Sequence, residues 1–505
     1  MDGEERKCKD FIPARWIFTV LGSVGFMVVY GLKVNLSVAI MAMVNHTAVA
    51  LESSHGDDHH GDSHAVTDGL NATVVVDDCD TGGSKEEALM DGPFVWNENI
   101  QGVLLASYFY GYLLTQVAGG WVAEKFSAKH VFGVGALLNI VGTLLTPLAA
   151  NISFMAMMAL RVVMGIGGGV TLPAMHVLVA RWAPPAERSK IASAVYAGMT
   201  LGTLFTMPFS GILASTLGWE FVFYVQGVLS ILWYILWVIF VFDSPSQHPR
   251  ITRTERQMID NSIGGGSAIT GPKPSVPWKA VWTSMPVWAI IVAHTCSNWG
   301  WYMLLVKLPT FMRYILKFDI KSNAGLSAVP FLCMWIFTML FANLLDLLRA
   351  KNILSTTAAR KISTSIASLP PAIFLILVTY VGCNTDLAVV FLTLGTMFLG
   401  GMYSGFLANH IDIAPAFAGT LMGITNTFAT IPGIIVPSVV GIITHNNQTV
   451  EAWRLIFIIT FVIFAIEFIF YNIFGSGELQ EWAKPKPIES QNEHRLLEQA
   501  ESKAA

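Results

Sequence analysis

A chain of 505 residues that is 53% hydrophobic and only 13% charged reads as a polytopic membrane protein rather than a soluble globule. Its net charge of −4 gives no basic surface for nucleic acid and hides a strong asymmetry between its two faces. Five cysteines without a CxxC pair argue against a metal ribbon or redox motif. No nucleophile–base pair or metal motif lies in the apolar spans, which argues against an enzyme.

In chain order, residues 1–14 form a short charged N-terminus expected in the cytosol. The first apolar stretch, about 15–44, is too long for a signal-peptide core and carries Lys33, so it reads as a retained signal anchor. Residues 46–97 follow, with eleven acids between Glu52 and Asp91 and one lysine, Lys85, and read as a solvated luminal or extracellular loop. Spans near 98–123, 127–149, 152–182, 188–214 and 219–242 complete a first six-helix half over 15–242. A cytosolic linker, 243–285, carries Arg250, Arg253, Arg256, Lys273 and Lys279. Spans near 286–316, 324–348, 357–382, 385–411, 417–443 and 451–475 make a second half over 286–475, and 476–505 is a polar cytosolic tail. The expected fold is an all-α membrane protein of twelve transmembrane helices in two six-helix pseudo-repeats.

Lysine and arginine concentrate at both ends, in the linker and in the turns after helices 2, 4 and 8, which places those segments in the cytosol. The turn after helix 7, with Arg313, Lys317 and Lys321, departs from that pattern. The halves echo each other. Glu124 stands five residues before Lys129 after helix 2, and Asp346 five residues before Lys351 after helix 8. WAPPAER between helices 4 and 5 is matched by DIAPAFAG between helices 10 and 11. Parallel repeats of this kind belong to the major facilitator architecture.

The stretch Arg161–Lys190 concentrates the chemistry. An arginine at a helix centre costs about 2.5–3.5 kcal/mol on insertion scales, so Arg161 is expected to face protein or a watery cavity. Four glycines between 165 and 169 let a neighbouring backbone approach, and the segment exits through Arg181, Arg188 and Lys190.

YGLKVNLSVAI, SYFYGYLLTQVAGG, GVTLPAMH, RWAPPAERSK, IIVAHTCSNWGWYMLL and SGFLANHIDIAPAFAGTLMGITNTFATIPG together resemble one branch of the major facilitators. It is the anion-transporter branch of sialin, the vesicular glutamate transporters and the sodium–phosphate cotransporters, and these motifs look like those of sialin. The resemblance runs from about residue 13 to 475 and implies alternating access around a small anion held between the halves. It also marks departures. Lys33 stands where members usually carry arginine, and Ser297 where the glutamate branch carries arginine. Met164 and Gly168 stand where proton-coupled members carry helix 4 glutamates. Without those carboxylates, the expected driving force is the membrane potential, about 2.3 kcal/mol per charge per 100 mV.

Lys33 and Arg161 are the expected anion ligands. Tyr108, Tyr112 and Gln116, four residues apart on helix 2, are expected to line the pathway with Asn298, Trp299 and Tyr302 of helix 7 and Asn426 of helix 11. Glu124, Lys129, His176, Asp346, Lys351, His410 and Asp412 are expected to gate the cytosolic side. No cofactor or metal is expected, and HGDDHHGDSH (55–64) reads as acidic loop.

The leading reading is a secondary active transporter of small organic anions, of the sialic acid or another carboxylate class, with a proton or sodium as coupling ion. The alternatives are a sodium-dependent phosphate cotransporter and a non-transporting membrane receptor for an anion. EHRLLE (493–498) approximates an acidic dileucine signal, favouring a lysosomal or vesicular membrane over the plasma membrane. A Cys79–Cys383 disulfide is expected on the non-cytosolic face. Asn71-Ala-Thr in mid-loop is expected to carry a glycan. Asn71→Gln should therefore run faster on a gel; unchanged migration would contradict both the glycan and the sidedness.

Overall fold

The computed structural model describes residues 12–45, 47–48, 92–263, 275–314, 320–381, 384–444 and 449–484. Cys79, Cys383, Asn71, the 55–64 histidines and the C-terminal EHRLLE lie outside the described residues.

Twelve long helical spans account for nearly all of the described chain. The first half contains α1 (Ala14–Met43), α2 (Glu98–Lys125), α3 (Ala128–Ile152), α4 (Phe154–Trp182), α5 (Pro185–Thr216) and α6 (Trp219–Phe240). The second contains α7 (Met285–Tyr314), α8 (Ile320–Ala350), α9 (Thr356–Val378), α10 (Thr385–Ile413), α11 (Pro415–Thr444) and α12 (Val450–Phe474). Among the described residues, ten helices are long and apolar enough to cross a membrane. The other two, α2 and α7, have the length but carry the polar groups of the pathway, Tyr108, Tyr112, Gln116 and Glu124 on one and His294, Ser297 and Asn298 on the other.

Local chemistry sets the helix starts. Asn97, Ser127, Ser153, Ser355, Asn384 and Thr449 each precede a span, and each side chain accepts a hydrogen bond from a main-chain amide of the first turn. The interruptions are equally legible. At Val170, α4 breaks directly after Gly167–Gly169 and shortly before Pro173, and α10 turns to 3₁₀ over Leu399–Tyr403 around Gly400 and Gly401. Glycine-softened helices at corresponding places in two repeats mark a transport site. Beyond α1, the chain on either side of the long acidic loop is tied together, with Asn45 N–H donating to the Phe94 carbonyl at 2.8 Å.

The linker is more ordered than its composition implied, with short helices at Arg253–Ile263 and Trp278–Thr283. Glu255 on the first accepts from the Ala14 amide at 3.0 Å and from Arg15 at 2.9 Å, anchoring the linker to the start of α1.

The two halves are clamped at one end, the end that the basic turns predict to be cytosolic. Asp412 of α10 pairs with Arg188 of α5 at 2.9 Å and with Arg360 of α9 at 2.6 Å. Arg360 also donates to Ser189 of α5 at 2.8 Å. Asp346 of α8 accepts from the Lys190 amide at 2.7 Å, and Glu124 of α2 accepts from the Thr420 amide and hydroxyl at 2.6 and 2.7 Å. His176 of α4 lies against His410 of α10, ring centres 5.3 Å apart, and its Nε2 reaches the Leu407 carbonyl at 3.1 Å. Five of the seven expected gating residues therefore sit in this clamp. Lys129 and Lys351 do not: Lys129 Nζ caps the Val238 carbonyl of α6 at 2.9 Å, and Lys351 is exposed. The acid–base spacing seen in sequence thus separates two jobs, with each acid crossing between halves while its base stays in its own.

Asp412→Asn leaves two buried guanidinium groups under-compensated, an effect of about 3–5 kcal/mol for a broken buried pair. It should raise cytosol-side thiol labelling of a cysteine introduced at Ser404, whereas wild-type background labelling stays low; equal labelling would show that the clamp does not hold this face shut.

Candidate functional site

Lys33 and Arg161 converge between α1 and α4. Arg161 Nη2 donates to the main-chain carbonyl of Lys33 at 3.4 Å, and its Cζ lies 5.1 Å from the centre of the Tyr108 ring. Arg161 is 3% exposed and its Nε is buried with no partner among the described residues. Lys33 Nζ sits in an aromatic cage, 4.6 Å from the Phe109 ring centre, 4.8 Å from Tyr112, 5.1 Å from Tyr30 and 5.7 Å from Tyr108. Ring faces attract an ammonium by about 2 kcal/mol when desolvated, which eases the burial without neutralising the charge. Among the described residues no carboxylate forms an ion pair with either cation.

Backbone packing builds this arrangement. A Cβ on Gly165 would fall 2.0 Å from the Tyr108 carbonyl oxygen, so α2 and α4 touch main chain to main chain. Only at that separation do Tyr108 and Tyr112, one turn apart on α2, come beneath Arg161 and Lys33. Tyr108 is then fixed by its hydroxyl, which donates to Asn139 Oδ1 at 3.2 Å, while Asn139 Nδ2 donates to the Gly135 carbonyl at 2.9 Å. The place beside Arg161 where related transporters are expected to hold a glutamate is taken by this phenol. A Cβ on Gly168 would lie 1.9 Å from the Tyr108 hydroxyl oxygen.

A cavity of about 40 Å³ lies between the halves, walled by Tyr30, Tyr112 and Met199 from the first and by Asn298, Tyr302 and Asn426 from the second. A water needs about 10–15 Å³ of such space, so the cavity has room for a few waters. Tyr30 and Tyr112 both wall the cavity and cage Lys33, so the ammonium lies directly behind that wall. Across the middle, Asn426 Nδ2 donates to the Tyr112 hydroxyl and to Gln116 Oε1, both at 3.0 Å, joining α11 to α2. Asn298 Nδ2 donates to the Ala429 carbonyl at 2.8 Å.

Seven of the nine expected substrate-site residues thus gather at the cation pair or the cavity, and Gln116 stands one step behind, bonded to Asn426. Trp299 does not join them. It lies 100° around α7 from Asn298, and its Nε1 donates to Thr460 Oγ1 of α12 at 3.1 Å, away from the cavity. Sequence reading missed Tyr30, His294, Trp301 and Tyr403, which also line the cavity. Tyr30 had a usable signal, standing one turn before Lys33 on the same helix face. Tyr403 had none, because the 3₁₀ turn that aims it inward interrupts the helical period.

The chain matches the family model described as Major Facilitator Superfamily over residues 21–437. Human sialin is 41% identical over 472 residues, covering 93% of this chain and 91% of sialin. A protein of Drosophila melanogaster named as a putative inorganic phosphate cotransporter is 38% identical, covering 97% of this chain and 89% of the relative. Human vesicular glutamate transporter 2 is 37% identical, covering 94% and 76%. Among solved structures, the proton:xylose symporter XylE superposes with a TM-score of 0.66 at 13% identity, covering 93% of this chain and 98% of that one. At that identity it speaks for the fold alone.

Gly168→Ala should lower the melting temperature of purified protein, by the equivalent of about 1–3 kcal/mol for an overpacked site. Tyr108→Leu in the same background should recover part of the loss, a non-additivity that direct contact requires. Purely additive losses would show that the two positions do not compete for one space.

Proposed function

The chain belongs to the Major Facilitator Superfamily and, within it, to the family of secondary anion transporters; on that premise we propose that it carries small organic anions of the carboxylate class, with Lys33 and Arg161 as the ligands of the anionic group. The observation that carries this reading is the cation pair itself, two basic groups held inside the membrane region with no carboxylate partner among the described residues. Leaving a charge unpaired in such a place is expensive, and an arriving anion removes that cost. The same logic makes binding and occlusion one event, because the anion draws α1 and α4 onto a common ligand.

In the form described above, the cavity holds room for only a few waters and is crossed by contacts between the halves. Transport then requires the cytosolic clamp and the Asn426–Tyr112–Gln116 latch to part in turn, the hallmark of alternating access. Four tyrosines and two asparagines at the cavity wall suit a substrate with a flat anionic head and a hydrogen-bonding body. The receptor reading has no support among the relatives, which are named as transporters and cotransporters. A lysosomal or vesicular membrane is the favoured location, from the similarity to sialin and to a vesicular transporter. The second reading, phosphate carried with sodium, is favoured by the 38% identity to a putative phosphate cotransporter. Replacing sodium with potassium in the uptake medium distinguishes the two.

In reconstituted vesicles, Arg161→Gln and Lys33→Gln should each abolish uptake without changing protein abundance. Lys33→Arg should transport, since it keeps the charge and the ring contacts. Normal uptake by both glutamine variants would sink the assignment.

A further inference from the structure

One acid in the membrane interior belongs neither to the cation pair nor to the cytosolic clamp. Glu467 of α12 is fully buried. Its Oε1 accepts from Ser297 Oγ of α7 at 2.7 Å, while Oε2 is buried with no partner among the described residues. A carboxyl used only to join two helices is ordinarily satisfied at both oxygens, and this one is not.

Among the described residues no basic group answers it. On α7 it faces Ser297 and the thiol of Cys296, while His294, one turn earlier, is bonded to Thr425 at 3.1 Å. On α9, Arg360 is committed to Asp412 and Lys361 donates to the Asn472 carbonyl at 2.7 Å. On α12 itself, Tyr471 stands one turn on and accepts from Asn409 at 2.8 Å. α11 carries no titratable side chain. An ionised carboxylate in these surroundings would be a lone charge away from water, a costly state.

The location gives a proton on this carboxyl a use. Ser297 is the residue before Asn298, so α7 presents Asn298 to the cavity and Ser297 to Glu467. Any tilt of α7 that reshapes the cavity must also loosen its contact with α12. We propose that Glu467 is the proton-binding site that couples this transporter, protonated in the closed form and deprotonated when movement of α7 admits water to Oε2. One proton binds the carboxylate on the acidic side and leaves on the other, and returning the neutralised group with a monovalent anion moves no net charge. The titratable carboxyl sought in sequence on α4 is thus supplied from α12. The proposal rests on the anion-transport reading.

The test uses proteoliposomes of full-length protein with radiolabelled sialic acid as probe, membrane potential and pH clamped separately. At zero potential, one unit of external acidification should raise wild-type accumulation up to about ten-fold, since ten-fold is the equivalent of one pH unit. Glu467→Gln, which keeps shape and hydrogen bonding, should still exchange the probe but respond less than two-fold. An undiminished response in Glu467→Gln, or no response in wild type that transports, overturns the proposal. Failure of wild type to carry sialic acid bears on the transport reading instead, and infrared difference spectra then decide. At a pH where exposed carboxyls are ionised, a protonated carboxyl band should be present in wild type and absent in Glu467→Gln; identical spectra overturn the proposal.

Discussion

Two positive charges that no described carboxylate pairs with set the terms for the rest of the molecule. Lys33 and Arg161 lie close enough for the arginine to reach the lysine's own carbonyl, and the groups around them are ring faces, amides and hydroxyls. Aromatic rings soften the burial of a cation but supply no counter-charge. The arrangement is therefore stable enough to fold and still retains a strong preference for an anion. The close crossing of α2 and α4 at Gly165, the hydrogen bond that fixes Tyr108 and the tyrosine wall of the cavity all serve to hold that state.

Against this stands the opposite end of the bundle, expected to be cytosolic from its basic turns, where each acid accepts hydrogen bonds from a partner across or beside the interface. Asp412 on Arg188, Asp346 on the Lys190 amide and Glu124 on Thr420 are buried or partly buried contacts between halves, and Arg360 braces Asp412 from within its own half. Buried pairs add modest net stability but are costly to break singly. That property suits a gate, because the interface opens as a unit or not at all. On the proposed reading, an anion at the cation pair would bias the equilibrium between states, since only differential affinity can shift populations.

The sequence carried most of the fold because spans of twenty or more apolar residues, capping residues and glycine–proline breaks are local signals. It carried the cation pair for a related reason: a charge inside an apolar run is conspicuous. What it did not carry depends on rotation and reach. Trp299 sits next to Asn298 in sequence yet turns to α12, and Tyr403 enters the cavity only through a 3₁₀ distortion. Lys129 and Lys351 stood at matching positions, but spacing along a chain says nothing about which half a partner comes from. Glu467 was passed over because a single acid near the end of an apolar helix resembles an interfacial residue until its burial is known.

The central claim is that an anionic charge, rather than shape alone, is what the site recognises. Equilibrium binding followed by tryptophan fluorescence, with Trp301 at the cavity wall, tests it without any need for transport. Sialic acid and its neutral methyl ester differ in little except the charge. Saturable binding of the acid, weakened at least ten-fold for the ester and lost in Arg161→Gln, is the predicted result. Equal affinity for acid and ester, retained in Arg161→Gln, would contradict it.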